Sequence, residues 1–129
     1  PSDIIKFRGV VNNFTDVLFK ADVFVLSSFW EGLPLSIIEA MACKKAVIAS
    51  DVGGCAELIE NTHSGYLVPI RDVKAMSDSM AQYIDNNQKV IDHGLKAYLL
   101  YQRKYSLNVM LNKYCLEYGI IDKNSSRDM

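Results

Sequence analysis

Residues 22–54 read DVFVLSSFWEGLPLSIIEAMACKKAVIASDVGG, two short apolar runs with a helix-length segment between them. The first run, residues 22–28, has the near-continuous apolar content of a strand covered on both faces. A loop, Phe29-Trp30-Glu31-Gly32-Leu33, follows it. Pro34 suits a first helical position, where its missing N–H is no loss. The helix it opens, residues 34–43, is apolar almost all round. Residues 46–50 form the next buried strand, and Asp51-Val52-Gly53-Gly54 leads into a short helix over residues 55–60.

Outward from this stretch the alternation continues. Residues 4–11 (IIKFRGVV) are β-rich, and residues 13–21 place Phe14, Val17, Leu18 and Ala21 at helical spacing. Residues 61–64 read as a turn, Gly65 leads into a strand over residues 66–68, and Pro69 ends it. Asp72 is an N-cap for a helix with Val73, Met76, Met80 and Ile84 on its inner face. Residues 89–104 predict a second helix with Ile91, Leu95, Tyr98 and Leu99 inward, weakened by about 1 kcal/mol at Gly94. Ser106 caps a third, whose apolar stripe is Leu107, Met110, Leu111, Tyr114 and Tyr118. Strands alternating with helices predict an α/β fold, a Rossmann-like parallel sheet with flanking helices and right-handed crossovers. One domain over residues 1–121 and a polar tail over residues 122–129 are expected.

Composition narrows the classes. A chain of 129 residues suits one domain, and 50% hydrophobic content excludes intrinsic disorder. Fourteen Lys+Arg against fifteen Asp+Glu argue against nucleic acid as a partner. No apolar run approaches the roughly 20 residues that span a bilayer. Cys43, Cys55 and Cys115 show no CxxC spacing, and the odd count fits a reducing cytoplasm. Cys43 and Cys115 read as small buried apolar groups. His63 and His93 lack acidic or thiol neighbours, so they read as solvated or structural rather than as metal ligands.

Open parallel sheets bind ligands beyond the carboxyl ends of their strands. Two strand-to-helix loops share that edge here, residues 28–33 and 51–54. The helix start after Glu31-Gly32 offers unpaired N–H groups and about half a positive charge, a site for an anion such as phosphate. Pro34 donates nothing, which leaves the amides of Gly32, Leu33, Leu35 and Ser36. Glu31 stands where a carboxylate can accept from the hydroxyls of a neutral sugar. Glu39 has apolar neighbours on every side and is expected to be buried, in need of donors that ligand hydroxyls supply. It lies about 7.5 Å along the axis from the helix start. The other reading of Glu39 is a surface residue on a narrow polar stripe. Gly53-Gly54 allows close backbone approach or an ordinary turn. Lys44 and Lys45 read as charges at a helix C-terminus, and Trp30 as packing or a loop anchor.

Residues 22–68 resemble the donor-binding half of family-4 (group 1) glycosyltransferases of the GT-B fold. The motif is Glu31, seven residues, then Glu39, in EGLPLSIIEAMA. Around it stand a strand ending in Ser, the later ASDVGG with Glu57, and GYLV. FRGVV fits the preceding family strand and residues 72–118 the trailing helices, so the resemblance covers nearly the whole chain. It implies retaining transfer from a nucleotide-diphosphate sugar, such as a UDP- or GDP-sugar, with no metal or other cofactor. Glu31 would be the catalytic-site acidic residue that holds the donor sugar, with Gly32, Leu33 and Leu35 offering amides to sugar and phosphate. Glu39 would accept from the ribose, and Val10 and Val11 would contact the base.

The resemblance also implies absences and departures. The acceptor-binding N-terminal domain and the first two donor-domain strands are missing from these residues, so the donor domain is incomplete. In the implied strand order, 3-2-1-4-5-6, residues 4–11 lack their partner. Weak nucleotide-sugar binding and no turnover are expected of these residues alone. The acceptor would be a glycan or lipid-linked, the location cytoplasmic or peripheral at the cytoplasmic membrane face. The family often has Gly at Lys44 and Pro at Ser27, Ala46 and Ala56. A non-catalytic nucleotide-binding or interaction module is the alternative, and Glu31→Gln separates the two.

Overall fold

The computed structural model describes residues 4–59 and 64–120. Its centre is a parallel sheet of β1 (Val23–Leu26), β2 (Ala46–Ser50) and β3 (Gly65–Val68), in the order β1-β2-β3. Val23 stands opposite Ala46, and Val47 opposite Gly65. Parallel neighbours need crossover connections. α2 (Leu35–Ala42) and α3 (Cys55–Leu58) lie within them. α1 (Phe14–Lys20) precedes β1. α4 (Val73–Ile84), α5 (Asn87–Leu100), a π-helical turn (Tyr101–Tyr105) and α6 (Leu107–Glu117) follow β3.

β2 is the middle strand and all its residues are buried. Alternation along a strand sends side chains to opposite faces. Val47 and Ala49 pack with Leu18, Ile37, Met41 and Leu58, whereas Ala46 and Ile48 pack with Val68 and Tyr83. One layer of helices therefore covers each face. α5 reaches both, through Ala97 and Leu100 on the first and Val90 on the second. Its approach depends on Gly94, where a Cβ would stand 2.2 Å from the carbonyl oxygen of Lys44.

Several expectations are corrected. Residues 4–11 form no strand, and Ile4, Ile5, Phe7 and Val10 are exposed. No ladder partner lies beside them among the described residues, and an extended segment does not persist without one. β1 is an edge strand with Val25 exposed, so it is not covered on both faces. Pro34 is the N-cap of α2 rather than its first residue.

The helix faces also differ. In α4, Val73 and Ile84 are exposed and Tyr83 is inside, where its hydroxyl lies 2.8 Å from Nδ1 of His93. His93 is thus structural. In α5, Ile91, Leu95 and Leu99 face out, while His93, Gly94, Ala97 and Leu100 face in. The small residues do so because the helix lies against the backbone at Lys44. α6 buries none of its stripe. Cys43 and Cys115 are half-buried, Cys55 is buried, and Trp30 is exposed rather than packed. His63 and the tail over residues 122–129 lie outside the described residues.

Candidate active site

The two loops at the carboxyl ends of β1 and β2 touch through their backbones. The Gly54 amide donates to the Gly32 carbonyl at 2.6 Å. Gly53 has a φ of 49°, and a Cβ there would stand 1.9 Å from the Glu31 carbonyl oxygen. The glycine pair therefore serves loop-to-loop contact as well as the turn, and it fixes the height at which Glu31 and Gly32 leave the sheet.

Glu31 is half-buried, and its Oε1 accepts from the Ser28 hydroxyl at 2.6 Å. That bond fixes the carboxylate and leaves Oε2 open. Ser28 is the residue that sequence reasoning missed, although its spacing of three from Glu31 was visible. After the loop, α2 starts without a side-chain cap. Among the described residues, the amides of Gly32, Leu33, Leu35 and Ser36 donate to no other group. Unpaired donors and the helix dipole together favour an anion at this end.

Glu39 is exposed, which corrects the expectation of burial. α2 turns Ile37, Ala40 and Met41 into the core and leaves Leu35 and Glu39 on the outer side. These two lie four residues apart, so they share a face, about 6 Å apart along the axis. No side-chain partner engages Glu39 among the described residues. It is open to an incoming donor beyond the free amides. Val10 and Val11 are exposed on irregular chain ahead of α1, and nothing described brings them to the loops.

Two neighbours complete the setting. Burial pushes the Cys55 thiol up, and the charges of Glu31 and Asp51 add to this against a backbone hydrogen bond from Val52. Cys55 therefore stays protonated and acts as packing beneath the loop. Lys44, at the end of α2, has a φ of 58°, and its ammonium lies 4.9 Å from the centre of the Tyr98 ring. Among the described residues no helix is long and apolar enough to cross a membrane.

With this geometry in place, the chain can be set beside known proteins. Residues 2–86 match the family model of the group 1 glycosyl transferases. The chain belongs to this family. It is 28% identical over 123 residues, 95% of its length, to an N,N'-diacetylbacillosaminyl-diphospho-undecaprenol alpha-1,3-N-acetylgalactosaminyltransferase of Campylobacter jejuni, of which it covers 32%. It is 36% identical over 96 residues, 74% of its length, to the lipopolysaccharide core biosynthesis mannosyltransferase LpcC of Rhizobium leguminosarum, covering 27% of it. The chain thus spans between a quarter and a third of the length of these curated relatives.

Solved structures agree. The C-terminal domain of LpcC from Francisella tularensis superposes with a TM-score of 0.71 at 30% identity, over 80% of this chain and 53% of that one. Anabaena HepE in complex with UDP gives a TM-score of 0.87 over 93% of this chain and 33% of that one. At 21% identity HepE shares the fold. The parallel sheet with flanking helices is part of a GT-B glycosyltransferase fold.

Proposed function

We propose that this chain forms the donor-binding part of a retaining glycosyltransferase. The enzyme moves a sugar from a nucleotide-diphosphate sugar to a glycan or lipid-linked acceptor, without a metal or other cofactor. The observation that carries the reading is the uncapped start of α2 with four free amides, beside a carboxylate already held by Ser28. Family membership supports it, as do relatives named for transfer to an undecaprenol-linked acceptor and for mannosyl transfer.

In the reaction the bond between the anomeric carbon and the diphosphate oxygen breaks, an acceptor hydroxyl oxygen takes its place on the same face, and the hydroxyl proton passes to the departing diphosphate. Negative charge grows on the departing diphosphate. Gly32, Leu33 and Leu35 present fixed amide dipoles to sugar and phosphate, and such preorganised donors stabilise developing charge without reorganisation. Glu31 accepts from the donor sugar's hydroxyls and orients the ring. Glu39 accepts from the ribose, so its exposure is a requirement. The proposed setting is the cytoplasm or the cytoplasmic face of a membrane, where a lipid-linked acceptor is presented.

The test is sugar transfer from UDP- and GDP-sugars by the natural gene product carrying this sequence, wild type against Glu31→Gln. Loss of the charge is expected to cut kcat about 100-fold or more. A loss under about threefold would favour a non-catalytic module. On the 129 residues alone, calorimetry is expected to find weak binding, and micromolar affinity would contradict that expectation.

A further inference from the structure

Beyond the carboxyl ends of the strands, on the side covered by α4, lies a cavity of about 380 Å³. That size falls at the lower end of ligand pockets, about 300–1,000 Å³. Three serines line it: Ser27 after β1, Ser50 at the end of β2 and Ser77 on α4. Ser50 is only 5% exposed, and its hydroxyl makes no hydrogen bond among the described residues. No fully enclosed side-chain oxygen or nitrogen there lacks a partner. The residual exposure of Ser50 is therefore at its hydroxyl, which opens on the cavity. A buried hydroxyl without a partner calls for one.

The rest of the lining says what kind of ligand fits. Arg71 and Asp72 contribute opposite charges that cancel. The Arg71 guanidinium lies 5.5 Å from the centre of the Phe29 ring, and the Asp72 carboxylate accepts from the Ala75 amide at 2.8 Å. Pro69, Met76 and Met80 supply apolar wall. A neutral lining gives an anion no net attraction and sets a carboxylate against it. Hydroxyls beside apolar surface suit a saccharide ring, which has an apolar C–H face and a rim of hydroxyls. We propose that this cavity binds a neutral saccharide unit.

Its position relates it to the reaction. Ser27 and Phe29 line the cavity, whereas Ser28 between them bonds to Glu31. Extended chain alternates its side chains in this way. The cavity and the Glu31 carboxylate therefore flank one loop. Resting on the donor reading above, the bound unit is a sugar of the acceptor, a contact additional to those of the acceptor-binding domain that the resemblance implies.

The experiment is an NMR titration of the chain with the methyl glycosides of mannose, galactose and N-acetylglucosamine, with inorganic phosphate in parallel. At least one glycoside is expected to shift the Met76 and Met80 methyl signals saturably. Ser50→Ala is expected to weaken it about fivefold, the worth of one hydrogen bond. Ser77→Phe changes an exposed position on α4, fills the cavity and is expected to abolish the shifts, which keeps the test decisive if Ser50→Ala fails to fold. No saturable shift, unchanged affinity in folded Ser50→Ala or in Ser77→Phe, or a response to phosphate alone overturns the proposal. A nucleotide titration read at the Gly32–Ser36 amides fails or succeeds separately, so loss of the donor reading is distinguishable.

Discussion

Replacing Gly53 with Ala puts a methyl group against backbone that has no room for it. The added Cβ stands 1.9 Å from the Glu31 carbonyl oxygen and 3.0 Å from that of Gly32. Ordinary contact needs about 3.5 Å, so the Glu31 loop has to move by more than about 1 Å. Overpacking of this kind costs about 1–3 kcal/mol. The φ of 49° adds about 1–2 kcal/mol for a residue with a Cβ. Reduced freedom of the unfolded chain returns about 0.4–1 kcal/mol. The net destabilisation is therefore about 1–5 kcal/mol, read by urea unfolding under circular dichroism. Gly119→Ala is the control: its φ is 66°, but no atom lies within 4 Å of the added Cβ. It bears the backbone cost alone. Gly53→Ala losing no more stability than Gly119→Ala would refute the loop-to-loop contact.

Other consequences concern Lys44 and Cys55. Lys44→Gly relieves a left-handed backbone and loses the contact with Tyr98, terms of about 1–2 and 0.5–1 kcal/mol. Extra freedom in the unfolded chain removes about 0.5–1 kcal/mol more, so the variant should match the wild type within about 1 kcal/mol. Lys44→Ala keeps the strain and loses the contact, so its urea midpoint should be the lower of the two; the reverse order contradicts this. Burial raises the Cys55 thiol in the folded chain, whereas the unfolded thiol titrates near about 8.5. Its contribution is fully present below that pH and is lost as pH rises toward the folded value, by up to about 1.4 kcal/mol per unit. Between pH 8 and 9.5 the wild type should lose stability more steeply than Cys55→Ala, and parallel profiles would contradict the burial argument.

The sheet is legible in the sequence because β2 is buried on both faces and therefore reads as an unbroken apolar run over residues 46–49 that ends at Ser50. The caps at Asp72 and Ser106 are legible for the same kind of local reason, since each side chain accepts from an amide three residues on. The faces of α5 are not. Large apolar residues mark an inner face only where the helix stands off its neighbour; α5 instead lies on the backbone of Lys44 through Gly94. Residues 4–11 carry strand propensity, but pairing is a property of the neighbour. At the site, Glu31 and the free amides follow from a loop, a glycine and a proline before a helix. The hold of Ser28 on Glu31 and the pressure of Gly53 on the same loop are tertiary facts with no periodic signature. Glu39 is misread because its neighbours in sequence are apolar, while an eight-residue helix that packs on one side leaves the other in water.

A titration of the chain with UDP and with GDP, followed at the backbone amides, reaches the heart of the account. Saturable shifts concentrated at Gly32, Leu33, Leu35 and Ser36 are expected with at least one of the two, and Glu39→Ala should weaken them without lowering the urea midpoint. Amides at the start of α2 that stay unmoved by either nucleotide, or an affinity indifferent to Glu39→Ala, would contradict the assignment of this helix to the donor.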